Sequence, residues 1–235
     1  MSEWAAKRFW EHADVVEVGD GFTVHLDGRQ LRTPVKSQLI VPSRAIAEAI
    51  ALEWQAQDEK IDPLTMPVTR SANAAIDKVA PMHAEVVTLV ADYGGTDLLC
   101  YRAQSPKELV ERQSKAWDPL LDWAAEELSA PLNTGVGIMH IEQESKVLES
   151  LSKRVAVLDA FQLTAFHDLV GMSGSLIIGF AVIHKFLPVP DLWQRSRIDE
   201  DWQIAQWGED EEDKATIEGK RAGFEHAARF YFMAN

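Results

Sequence analysis

Residues 53–79 read EWQAQDEKIDPLTMPVTRSANAAIDKV. The stretch opens at the end of an apolar helical pattern. It then crosses Pro63 and Pro67, each of which pushes its preceding residue toward extended backbone, and enters a second helical pattern. The residues before it have the rhythm of β-hairpins, and almost everything after it has the rhythm of helices. It is therefore a joint between two kinds of structure.

Working outward toward the N-terminus, Val15 to Val41 holds four short β-branched segments, VVEV, FTVHL, QLRT and QLIV. Asp20-Gly21 and Asp27-Gly28 are dipeptides that accept the positive φ of tight hairpin turns. Four antiparallel strands are too few to stand alone, so this sheet should pack on helices. Residues 1–13 form a short helical lead whose Trp4, Phe9 and Trp10 cap the sheet. Ser43 is placed to cap a helix with Ile46, Ala49, Ile50 and Trp54 on its apolar face, ending near Gln57.

Toward the C-terminus, Thr69 is the expected cap of a helix running to Val79, and Pro81 starts another that Gly94-Gly95 stops. Thr96 to Arg102 reads as an extended link. Ser105-Pro106-Lys107-Glu108 has the form of a capping box, and Asp118-Pro119 predicts a kink or a fresh cap. Ala130 to Ile141 is a loop with a short strand at Gly137 to Ile141. Val147, Leu151, Val155 and Leu158 mark one helix, and Leu163 to Leu187 supplies one or two buried ones, with small residues such as Gly171, Gly174 and Gly179 allowing close approach. Asp191 should cap a helix from Leu192 to Trp207, and a final helix should run from Glu209 to Phe232. The fold class is α+β: a small N-terminal antiparallel β-rich part (residues 1–80) packed with a larger, mostly α-helical C-terminal part (residues 81–235).

Composition narrows the function. Among the 235 residues, 46% are hydrophobic and 26% charged, ordinary values for a chain with a real core. A net charge of −14 argues against nucleic-acid binding and against an anionic membrane surface. Cys100 is the single cysteine, which excludes an intrachain disulfide and a thiolate zinc cluster. The longest uncharged run, Leu169 to Ile183, is 15 residues and too short to span a membrane. The N-terminus has no apolar signal region. The expectation is a bacterial cytoplasmic protein, or a mitochondrial matrix protein trimmed of its presequence.

No catalytic constellation emerges. A phosphate-binding loop and a dinucleotide fingerprint are both absent from the sequence. Gly171-Met172-Ser173-Gly174-Ser175 resembles a nucleophile elbow only with its second glycine displaced and in the wrong context. The seven histidines include no i, i+4 pair, so helical metal ligation has no support. An enzymatic alternative, a carboxylate/histidine pocket, would lie near His167-Asp168 or the acidic tail. The expected catalytic residues, metal ligands and cofactors are none. Residues 199–208, DEDWQIAQWG, are more telling. Glu200, Gln203 and Trp207 share one helical face at i, i+3 and i+7, a carboxylate beside aromatic surface of the kind that anchors protein partners. The competing account is that Trp202 and Trp207 hold the helix to the core. The five acids Glu209 to Asp213 read as a solvated helix start that complements the macrodipole.

These residues carry a resemblance. Leu26-Asp27-Gly28-Arg29, Thr33-Pro34, Glu53-Trp54-x-x-Gln57, Met66-Pro67-x-Thr69, Thr96-Asp97-Leu98-Leu99 with Tyr101-Arg102, Trp117-Asp118-Pro119 and Gln203-x-x-x-Trp207-Gly208 follow one another in the order seen in the F(1)-ATPase assembly chaperones that bind the alpha subunit of ATP synthase. The resemblance spans nearly the whole chain. It implies a non-enzymatic assembly factor, a monomer when free, that holds the free alpha subunit and shields its subunit interface until beta pairs with it. It implies partner contacts at Glu200, Trp202, Gln203 and Trp207, and structural roles for Glu53, Trp54 and Arg70. A general helical adaptor for another protein is the remaining alternative.

Overall fold

The computed structural model describes residues 7–208 and 211–235, with the side chains of residues 211–213 excepted. Trp4 of the N-terminal lead lies outside the described residues, as do Glu209, Asp210 and the side chains that complete the acidic run. The chain forms two compact units. One comprises residues 1–83, 159–165 and 229–235, and the other residues 84–158 and 166–228.

The first unit is built on β1 (Ala13–Val18), β2 (Gly21–Leu26) and β3 (Arg29–Gln30), an antiparallel sheet in sequence order with Val15 opposite Val24. Asp27 and Gly28 both have positive φ, as the β2–β3 turn requires. In the first turn the positive φ falls on Gly19 instead of the expected Asp20-Gly21. Gly21 is needed for a different reason: a Cβ there would lie 2.8 Å from Ile40 Cγ2 and 2.9 Å from the Val41 carbonyl.

The expected fourth strand reduces to two isolated bridges, Phe22 with Val41 and Arg32 with Gln38. Its ladder groups are engaged elsewhere. The Leu39 N–H donates to the Leu31 carbonyl (3.3 Å), and the Leu39 carbonyl accepts from the Thr23 hydroxyl (2.6 Å). Residues 7–12 are not a helix: Lys7 bridges Lys60, Phe9 is exposed and Trp10 is buried.

Helix α1 (Arg44–Gln55) buries Ile46, Ala47, Ile50 and Ala51. They join Val24, Leu26, Leu39, Val41 and the C-terminal Phe230 and Ala234 in one apolar cluster. Ser43 caps the helix as expected, accepting from Ile46 N–H at 3.2 Å while its hydroxyl donates to the Met233 carbonyl.

The joint is a set of side-chain caps. Helix α2 (Pro67–Ala74) starts with proline in its first turn and has no cap from its own flanking residue. Its cap comes from α1. The Glu53 carboxylate accepts from Val68 N–H, Thr69 N–H and the Thr69 hydroxyl, each at 2.7 Å. Thr69 is thus a donor inside the helix, not its expected cap. Gln57 accepts from Asp62 N–H (2.7 Å), and its amide donates to the Glu53 carbonyl (3.1 Å) and the Thr65 hydroxyl (3.0 Å). Trp54 packs on Trp10 with ring centroids 5.1 Å apart. Beyond α2 the turns widen over Ala75–Val79 into a π-helical segment, where Asp77 accepts from the Thr33 hydroxyl at 2.8 Å.

The second unit contains most of α3 (His83–Ala91), β4 (Tyr101–Arg102), α4 (Lys107–Glu127), β5 (Gly135–Val136), α5 (Ser145–Ala156), most of α6 (Ala160–Ser173), α7 (Leu176–Ile183), α8 (Val189–Ser196), α9 (Ile198–Trp207) and most of α10 (Glu211–Met233). Strands β4 and β5 pair in parallel. Pro106, rather than Ser105, occupies the N-cap of α4, with no side-chain cap bond, so the expected capping box does not form. Nor does Asp118-Pro119 start a new helix, since α4 runs through it. The expected strand at Gly137 to Ile141 lies earlier, at Gly135–Val136.

Trp117, Phe166, Phe180 and Phe224 are fully buried. Gly179 lets α7 approach α6, because a Cβ there would lie 2.7 Å from Val170 Cγ2, whereas Gly174 supplies the positive φ that separates the two helices. The single helix expected from Leu192 to Trp207 is divided at Arg197 into α8 and α9, and α8 begins at Val189 ahead of the predicted cap Asp191.

Thr96 to Arg102 is less extended than its composition predicts. Leu98–Cys100 forms a 3-10 turn capped by Asp97, which is wholly buried. The Asp97 carboxylate accepts from Leu99 N–H and, at the start of α7, from Ile177 N–H, both at 3.0 Å. Desolvation raises its pKa from 3.8 to about 6, against the lowering effect of these bonds. Between those values the folded chain binds more protons than the unfolded chain. The contribution of Asp97 is therefore full below pH 4 and falls as pH rises to 6, by ~3 kcal/mol. Asp97→Asn removes this dependence. In urea melts from pH 4 to pH 7 the stability advantage of the native sequence over the variant should shrink by about that amount. An advantage that does not change with pH would show that no charge is buried there.

Candidate partner-binding surface

Helix α9 holds all four predicted contact residues. Asp199, Glu200 and Asp201 fill its first turn, where the exposed backbone N–H groups favour negative charge. Gly208, with φ +92°, ends it by donating its N–H to the Ile204 carbonyl (2.8 Å).

The three acids differ in what they touch. Asp199 accepts from the Gln113 amide at 2.6 Å, and Gln113 in turn accepts from Ala103 N–H at 2.8 Å. Gln113 is buried, so Asp199 is committed to holding α9 against α4. Glu200 is exposed and pairs with Arg197 at 3.1 Å. Arg197 is itself buried, with its guanidinium 5.8 Å from the centre of the Trp193 ring, so a fixed cation sets the position of Glu200. Asp201 is half-buried.

Gln203 is exposed and Trp207 is 80% exposed, which leaves Glu200, Gln203 and Trp207 as one solvent-facing stripe at i, i+3 and i+7. Trp202 departs from that stripe and is half-buried. Arg197 and its Trp193 platform were invisible to sequence reasoning. The signal, an arginine three residues ahead of an acid, is common on helices and acquires meaning only through its burial.

The end of α8, just ahead of α9, is also seated on α4. The Trp117 indole donates to the Arg195 carbonyl at 2.8 Å. On the same helix Asp118 pairs with Arg102 at 2.8 Å, and the Arg102 guanidinium lies 5.3 Å from the centre of the Trp117 ring.

The enzymatic alternative gains nothing from the geometry. His167 Nδ1 lies 3.0 Å from Asp168 Oδ1 on neighbouring positions of α6. Each side chain is nearly half-exposed, and the histidine pKa is raised by that hydrogen bond as in an ordinary surface pair. Among the described residues no group of three His, Cys, Asp or Glu is placed to hold a metal ion, and no helix is long and apolar enough to cross a membrane.

A family model described as ATP12 chaperone protein matches residues 7–125, just over half of the chain. The chain belongs to the ATP12 chaperone family. These are the F(1)-ATPase assembly chaperones that its ordered segments resemble. Other members share the whole architecture. Atp12 from Paracoccus denitrificans, known from its crystal structure, is 49% identical, with 99% of this chain and 100% of that one covered and a TM-score of 0.96. An aspartate-to-lysine mutant of P. denitrificans Atp12p gives the same identity and TM-score with both chains covered in full. More distantly, the mitochondrial protein atp12 of Schizosaccharomyces pombe is 25% identical over 215 residues, which is 86% of this chain and 74% of that one.

Proposed function

We propose that this ATP12-family chain is a non-enzymatic chaperone that binds the free alpha subunit of the ATP synthase catalytic sector and shields its subunit interface until beta replaces it. The observation that carries this reading is the outer stripe of α9. A positioned carboxylate, an amide and a nearly bare tryptophan stand together on a helix whose other side is bonded to the core. An exposed aromatic beside a fixed charge suits a desolvating contact with a partner. An unassembled subunit leaves apolar interface in water, and a folded protein that covers it reversibly needs no nucleotide and no active site. The net charge of −14 favours a partner with basic surface. Glu200, Gln203 and Trp207 make the direct contacts, and Trp202 supports the stripe from beside it. The free chain is a monomer, working in the cytoplasm of a bacterium or in the mitochondrial matrix.

Co-expression with the cognate alpha subunit tests this. Alpha should move from the pellet to the soluble fraction and co-purify with the chain. If alpha pellets equally with and without it, the reading fails.

A further inference from the structure

Three exposed apolar side chains of the second unit stand together on one loop. Val136 is 65% exposed, Ile138 96% and Met139 80%. Their backbone is held from below. Gly135 and Val136 pair with Tyr101 and Arg102, and Gly137 donates to the Arg102 carbonyl at 2.9 Å. The loop is closed at its base by Gln143, which accepts from Asn133 N–H (2.8 Å) and donates to the Asn133 carbonyl (2.9 Å). Ile141 folds back over Gly135, where a Cβ would lie 2.9 Å from Ile141 Cδ1. The loop thus covers one isoleucine and turns Ile138 and Met139 outward on a hydrogen-bonded frame. Apolar side chains held this way in water mark a contact surface.

Two observations indicate what covers them. The first is charge. From Ala116 to Ser145 the chain has no lysine or arginine, but it has Asp118, Asp122, Glu126, Glu127, Glu142 and Glu144. The exposed Glu142 and Glu144 give the end of the loop an acidic edge, which repels a second copy of a chain whose net charge is −14 and an anionic lipid surface. It suits an apolar patch edged with basic residues. The second is position. The frame hangs from Arg102 and Ala103, which are bonded to Asp118 and Gln113 on α4, and Gln113 also holds Asp199 at the start of α9. The loop and the α9 stripe are therefore moored to the same turns of one helix.

We propose that Ile138 and Met139 form a second contact with the alpha subunit, seated in an apolar patch of alpha whose edge is basic. This rests on the reading above that alpha is the partner. The test is a chase. Tagged chain carrying alpha from co-expression is exposed to excess untagged native chain, and loss of alpha is followed over time. The full-length Ile138→Ser/Met139→Ser variant should release alpha at least ~10-fold faster, because apolar anchors act mainly on dissociation. Its thermal melt should match that of the native chain. Should the double variant melt lower, Met139→Gln alone should still release alpha several-fold faster. Equal release rates with alpha bound would overturn the second contact and leave the proposed function standing. Failure of the native chain to capture alpha would overturn both. Self-association of the native chain in sedimentation velocity, lost in the variant, would assign the loop to a second copy and overturn the inference.

Discussion

Glu53→Ala should lower the unfolding free energy by ~3 kcal/mol, the largest stability effect expected of any single change in the joint. Three donors converge on this carboxylate, each at 2.7 Å, and two of them are backbone N–H groups in the first turn of α2. Alanine leaves those donors with no protein partner and removes a negative charge from a helix N-terminus. The carboxylate is only partly buried, so water recovers some of the loss, which is why the figure is no larger than for one or two charged hydrogen bonds. For a chain of this length the melting temperature should fall by roughly 6–12 °C. Glu53→Gln keeps the shape and one acceptor oxygen and should cost about half as much. Denaturant melts of the three proteins decide the matter, and an unchanged midpoint for Glu53→Ala would show that α2 does not depend on this cap. The molecules that remain folded should bind partner normally, because Glu53 is committed to α2.

Glu53 also shows why so much of the fold was legible. Most of the segments that carried the family resemblance hold a side chain that fixes another part of the chain. Glu53 and Gln57 cap α2 and brace the proline turn. Thr33 reaches Asp77, Asp97 joins a 3-10 turn to the start of α7, and Trp117 holds the Arg195 carbonyl. Asp27 accepts from Glu11 and His12 N–H groups (3.0 and 2.9 Å), which pulls its pKa down. Residues bonded at a distance in this way form recognisable words in the sequence.

The misreadings share a cause as well. Thr69, Ser105 and Asp191 are good local caps, and in each case the helix begins elsewhere. The fourth strand had strand composition, but Thr23 and Leu31 took its hydrogen bonds. Local propensity lost to partners distant in sequence, which no local window contains. At the candidate surface the spacing of Glu200, Gln203 and Trp207 was legible from helical period alone. The buried Arg197, the inward turn of Asp199 and the exposure of Ile138 and Met139 were not, because each depends on what packs behind the residue.

That division predicts opposite behaviour at α9. Glu200→Lys should weaken capture of the alpha subunit by at least ~30-fold while changing stability by no more than ~1 kcal/mol. Glu200 is exposed, so water screens its bond to the buried Arg197 and the net worth of the pair is small. The lysine that replaces it can swing into water away from Arg197, with only the loss of a favourable charge at the start of α9. Binding responds far more strongly. The stripe now presents a cation where a basic partner surface expects an anion, and repulsion replaces attraction in a desolvating contact. Glu200→Gln separates the two parts: it removes the attraction without adding repulsion and should fall between the native chain and the lysine variant. Salt gives an independent reading. Native binding should weaken as ionic strength rises, whereas residual binding by Glu200→Lys should hold steady or improve as its repulsion is screened. A lysine variant that captures alpha as well as the native chain, with the same salt dependence, would place the recognition chemistry off this face of α9.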